Sequence, residues 1–170
     1  NLEVIRDVDM GGGICLAITC RFIESRLVEH ITTNDMMAIM SASMPLLLAK
    51  QQATRGTGAI LAGVKGKEIN DNSFTSGVFS RSGRKELAEY VINNPGLYLY
   101  TFWNLSGSEG HVVSFDTRAN KFMFFDSNFG LWMKNNATAQ EISKFLTEYW
   151  LVLPYKKIFA YGARKLHRYA

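Results

Sequence analysis

Along residues 14–30 the apolar positions Leu16, Ile18, Phe22, Ile23, Leu27 and Val28 recur at helical spacing, while Arg21, Glu24, Arg26 and Glu29 take mainly other positions. This pattern predicts an amphipathic helix. A second helix is expected over 34–50, capped by Asn34 and carrying Met36, Ile39, Met40 and Leu46; its methionines read as core filling. Between 53 and 83 glycines alternate with Ser, Thr and Asn around short apolar pieces, the pattern of a long, partly irregular connection. Helical regularity returns at 84–93 and is closed by Asn94, Pro95 and Gly96. Beyond Pro95 the chain turns β-like, with aromatic and branched residues over 97–103, 111–117 and 121–126. A helix over 138–150 and a strand near 157–162 follow. Helices first and neighbouring strands later predict an α+β domain, with N-terminal helices packed on a C-terminal antiparallel sheet.

The chain has 170 residues, 47% of them hydrophobic, enough for one domain spanning 1–170 with a well-buried core. The most apolar stretch, 36–49, contains Ser41, Ser43 and Pro45 and is too short to cross a bilayer. The sequence opens at Asn1 without a charged-then-apolar leader, so it reads as a domain excised from a longer chain. The charge balance, 19 basic against 15 acidic residues, is small and scattered, which argues against nucleic acid as a partner. Cys15 and Cys20 point about 140° apart around their helix and are not expected to form a disulfide, which suits a reducing compartment. Three widely spaced histidines make no zinc site with them.

Cys15 follows Gly11, Gly12 and Gly13 and opens the first helix, where unpaired N–H groups and the positive end of the dipole favour a thiolate. Taken alone, it reads more readily as a small buried hydrophobe after a glycine turn, and the nucleophile reading needs partners. A phosphate loop is disfavoured, because no Lys-Ser or Lys-Thr follows the glycines. A thiol nucleophile needs a base. His30 lies about 22 Å down the same helix and cannot reach Cys15. His167 falls in the basic tail Arg164-Lys165-Leu166-His167-Arg168, which reads as a solvated surface. His111 begins a strand after the flexible loop 106–110, which favours it by position.

A two-residue turn at Arg118-Ala119 would pair Thr117 with Asn120 and, counting back, His111 with Asp126. Directly opposed residues share a face with Cβ atoms about 4.5–5.5 Å apart, close enough for a carboxylate to hold an imidazole. Asp116, an odd number of residues from His111, falls on the other face. The two residues alone would also serve as an incidental cross-strand ion pair. With Cys15 they form the set that nucleophilic catalysis requires.

Gly13-Ile14-Cys15-Leu16-Ala17-Ile18, Gly110-His111-Val112-Val113 and Phe124-Phe125-Asp126-Ser127-Asn128 resemble, in order and context, the three blocks of the YopT and AvrPphB type effector proteases of the papain-like clan. The resemblance implies a papain-like fold and a cysteine endopeptidase with Cys15 as nucleophile, His111 as base and Asp126 as its orienting carboxylate. It also implies secretion by a bacterium, delivery to the host cytosol and a host protein substrate such as a small GTPase or kinase. Neither metal nor organic cofactor is needed for that chemistry. Where such enzymes carry an oxyanion-hole amide, this chain offers Asp9 and Asp7, so the backbone N–H of Cys15 must do more, or Asp9 must act protonated. The local acids Asp7, Asp9 and Glu109 suggest positive charge on the substrate near the cut. Two alternatives stay open: a glutamine deamidase or acyl or transglutaminase-type transferase with the same triad, and a non-catalytic binding domain using its basic tail on acidic partners or an anionic membrane.

Overall fold

In the computed structural model, the structure describes residues 15–24, 26, 68–72, 81–106, 110–128, 130–152 and 164–169. Among these are three α-helices, α1 (Cys15–Glu24), α2 (Arg81–Asn93) and α3 (Ala139–Val152). The strands are β1 (Glu68–Asn72), β2 (Leu97–Trp103), β3 (Gly110–Asp116), β4 (Lys121–Asp126), β5 (Gly130–Asn135) and β6 (Arg164–Tyr169). They form one sheet in the order β1-β6-β2-β3-β4-β5, with every neighbouring pair antiparallel. The fold class is α+β, as expected. No described helix is long and apolar enough to cross a membrane.

Side chains alternate between the two faces of a strand, so the register decides what each helix meets. Tyr98, Tyr100 and Phe102 of β2 share a face with Val113 and Phe115 of β3 and with Phe122 and Phe124 of β4. There they form a core with Leu87, Ala88 and Val91 of α2 and Ile142, Leu146 and Tyr149 of α3. The other face receives α1: Phe22 stacks on Phe125 with ring centroids 4.7 Å apart and planes 4° from parallel. Because both faces are covered, the central strands read as almost continuous apolar runs rather than as an alternation.

Local chemistry sets the ends of the elements. Asn94 closes α2 by donating both its backbone N–H and its side-chain amide to the Tyr90 carbonyl, each at 3.0 Å. At the start of α3, Glu141 N–H donates to Thr138 Oγ1 at 3.2 Å while Thr138 N–H donates to Glu141 Oε2 at 2.9 Å. This reciprocal capping box satisfies two amides that a helix start leaves unpaired.

The structure corrects several expectations. Helix α2 begins at Arg81, ahead of the expected start at 84. Strands β1 and β5 were not foreseen: each is short and occupies a sheet edge, β1 is largely polar, and β5 runs from Leu131, Trp132 and Met133 to Lys134 and Asn135 without alternation. The basic segment 164–168 is not a solvated tail. It is β6, hydrogen-bonded between β1 and β2, with Leu166 fully buried and His167 5% exposed. Its charges obscure the alternation, and Arg168 Nη2 spends its charge donating to the Pro95 carbonyl at 2.9 Å. The expected helix over 34–50, the strand near 157–162 and His30 lie outside the described residues.

Candidate active site

Strand β3 starts beneath the indole of Trp103, its β2 neighbour across the ladder from Gly110. A Cβ at Gly110 would meet Trp103 ring atoms at 2.4, 2.5 and 2.9 Å, so only glycine fits under the ring. The next residue, His111, is 7% exposed and meets the ring of Phe102 edge-on at 5.5 Å and 68°. Its Nε2 lies 2.9 Å from Oδ1 of Asp126, whose side chain is fully buried.

The contact forms through a register different from the one expected. Asp126 stands opposite Val113, not His111, and the β3–β4 ladder closes at Asp116 and Met123. The connection is longer than two residues because Thr117 is held elsewhere. Its N–H donates to the Gly96 carbonyl at 2.9 Å, its Oγ1 donates to the Val91 carbonyl at 2.8 Å, and that hydroxyl accepts from Gly96 N–H at 3.0 Å. Asp116 Oδ1 accepts the Arg118 N–H at 3.1 Å, starting a 3-10 turn over Arg118–Asn120 in which Ala119 and Asn120 have φ of 55° and 54°. The register therefore moves by two residues, and an even shift keeps Asp126 on the face of His111. The pair is diagonal, a separation of about 7–8 Å between such positions that long side chains can span.

Among the described residues, three groups donate to Asp126. Oδ1 accepts from His111 Nε2 and, at 2.8 Å, from the backbone N–H of Asn128 in the turn that follows β4. Oδ2 accepts from the hydroxyl of Tyr149 on α3. A carboxylate only accepts, so Nε2 carries the ring hydrogen in this arrangement and Nδ1 of a neutral imidazole is the basic atom. Sequence reasoning did not find Tyr149, Asn128 or Phe102. The stripe Ile142, Leu146, Tyr149 marks one face of α3, but nothing in it tells which strand that face meets.

Asp116 lies on the α1 face. Its carboxylate meets Arg118 through Nε and Nη2, both at 2.9 Å, and Arg26 Nε at 3.0 Å. Burial pushes its pKa up, but the hydrogen bonds and charge of Arg118, with Arg26 beyond, hold it below the ordinary carboxylate range.

Cys15 is the first residue of α1, whereas Cys20 lies inside the helix and is 5% exposed. The Phe22–Phe125 stack and the Arg26–Asp116 ion pair fix the direction of α1, because Phe125 pairs with Ser114, two residues before Asp116. The helix thus runs parallel to β3. Seven helical residues back from Phe22 cover about 10 Å, as do three strand residues back from Ser114. The start of α1 therefore comes level with His111, at the end of the sheet where the His111–Asp126 pair sits on the opposite face. The Cys15 side chain, Asp7 and Asp9 lie outside what the structure describes. Among the described residues no three His, Cys, Asp or Glu side chains converge as a metal site would require.

No protein-family model matches the chain, and no curated protein matches it. Among solved structures, the crystal structure of the Pseudomonas avirulence protein AvrPphB aligns with a TM-score of 0.55, covering 92% of this chain and 91% of that one at 14% identity. At that identity the likeness is one of fold: the chain shares with AvrPphB an α+β architecture of helices on an antiparallel sheet.

Proposed function

We propose that this chain is a cysteine endopeptidase in which Cys15 is the nucleophile, His111 the general base and Asp126 the carboxylate that orients it. The observation that carries this reading is the 2.9 Å contact between His111 Nε2 and a fully buried Asp126, at the end of the sheet reached by the helix that Cys15 opens. Nδ1 of His111 takes the thiol proton, and the sulfur attacks a peptide carbonyl. The imidazolium then returns the proton to the leaving amine, and water hydrolyses the thioester. Backbone N–H groups in the first turn of α1, that of Cys15 included, support the oxyanion; Asp9 is a second candidate donor if protonated.

By its likeness in fold to an avirulence protein, the enzyme acts on a host protein after delivery by a bacterium. A small GTPase or a kinase remains the substrate class suggested by the resemblance. The test is to incubate the protein with host-cell lysate and identify new protein termini, with Cys15→Ala as control. Termini that depend on Cys15 are expected. A target altered in mass with its chain intact would replace the peptidase reading with that of a deamidase or transferase.

A further inference from the structure

We infer that Tyr149 of α3 is a positioning residue for the catalytic imidazole, acting through Asp126; this rests on the peptidase reading above. Asp126 is fully buried, so its second oxygen needs a protein donor, and among the described residues the Tyr149 hydroxyl supplies one. The other oxygen is shared by His111 Nε2 and Asn128 N–H. A carboxylate held at one oxygen can swing about its terminal torsion, whereas one held at both cannot. Tyr149 thereby fixes the plane in which Oδ1 meets the imidazole.

The tyrosine is itself immobilised. It is 8% exposed, and its ring packs edge-on against Phe124 at 4.7 Å and Trp132 at 5.7 Å and stacks on Phe145 at 5.9 Å. A hydroxyl in such an aromatic cluster is costly unless paired, and here it donates to a carboxylate that itself meets His111. Phenylalanine would fill the same space without the bond, which makes Tyr149→Phe the variant that isolates the hydroxyl.

The experiment compares wild type, Tyr149→Phe, Asp126→Ala and the double variant by substrate turnover and by the rate at which iodoacetamide alkylates Cys15 across pH. Tyr149→Phe should lower kcat about 10- to 100-fold with KM unchanged, by analogy with the hydrogen-bond partners that orient metal-bound histidines. It should also displace the pH profile of Cys15 alkylation. In the Asp126→Ala background it should change neither quantity. Phe145→Leu, which loosens the same cluster without touching Asp126, should leave the pH profile in place and controls for packing. Wild-type kcat and profile in Tyr149→Phe, or an equal loss with and without Asp126, overturns the inference. If His111→Ala leaves Cys15 alkylation unchanged, the peptidase reading itself fails, and that result is separate from either of the others.

Discussion

The imidazole of His111 reaches Asp126 along the diagonal of the β3–β4 ladder, with Nε2 and Oδ1 2.9 Å apart. Among the described side chains of the proposed triad the carboxylate meets the imidazole, and its influence on turnover is expected to run through that ring. Asp126→Ala should cost on the order of 10²- to 10⁴-fold in kcat, and His111→Ala at least as much. Adding one to the other should change little. Multiplying losses in the double variant, measured on a folded protein, would show that the two do not act as a unit.

Cys15 opens α1 and Cys20 lies within it, so the two thiols differ in electrostatic setting although they share a helix. At about pH 6 iodoacetamide should modify Cys15 much faster than Cys20, because only the helix start favours a thiolate. Peptide mapping after timed alkylation reads both rates. Equal rates in the native protein would remove the physical reason for choosing Cys15.

Asp116 serves stability rather than chemistry. Its pKa is depressed in the fold, so its contribution is fully present above the unfolded value of about 3.9 and is lost as pH falls through the lower folded value. Chemical denaturation at a series of acid pH values should show wild-type stability declining through that window. Asp116→Asn should flatten the decline and cost about 1–3 kcal/mol near neutrality, less than a fully buried pair because both arginines are partly exposed. An unchanged acid slope in the variant would contradict this assignment.

Gly110→Ala places a methyl group inside the indole of Trp103. Either the ring leaves or the strand shifts, and a strand shift carries His111 with it. The variant should lose about 1–3 kcal/mol by overpacking and show altered tryptophan fluorescence. Trp103→Leu in the same chain should recover much of the stability, and thermal melts of the single and double variants decide the matter.

Phe22 and Phe125 join α1 to the sheet through stacked rings. Phe22→Ala and Phe125→Ala should each destabilise by about 3–5 kcal/mol, and the double variant by less than the sum, since both remove one contact. Full additivity in urea titrations would mean that the stack contributes nothing of its own.

The sequence shows clearly what depends on local periodicity. The runs 97–103 and 121–126 emerge as β2 and β4 with the expected limits, and the stripe of Phe22 and Ile23 marks the buried side of α1. His111 and Asp126 could be placed on one face because parity survives an even error in turn length. The turn itself was misjudged because Thr117 bonds to Gly96 and Val91, residues of another hairpin arm and another helix that hairpin geometry does not consider. Strand β6 was missed for a related reason: a segment with Arg164, Lys165 and Arg168 looks solvated until its two neighbours in the sheet are known. Tyr149 was invisible for the same cause, since which strand lies under α3 is a tertiary fact.

The interior place of β6 also governs how the chain can be made. β2 pairs with β3 through a short connection, but its other edge waits for residues 164–169, with Leu97 meeting Tyr169. During synthesis the β2–β5 meander can assemble while β6 is still within the ribosome, leaving the N–H and C=O groups along β2 open to any extended segment nearby. Residues that far apart close late. Nascent chains are therefore most exposed to strand exchange and aggregation just before β6 is released, and a six-residue peptide that copies it would compete for the same slot.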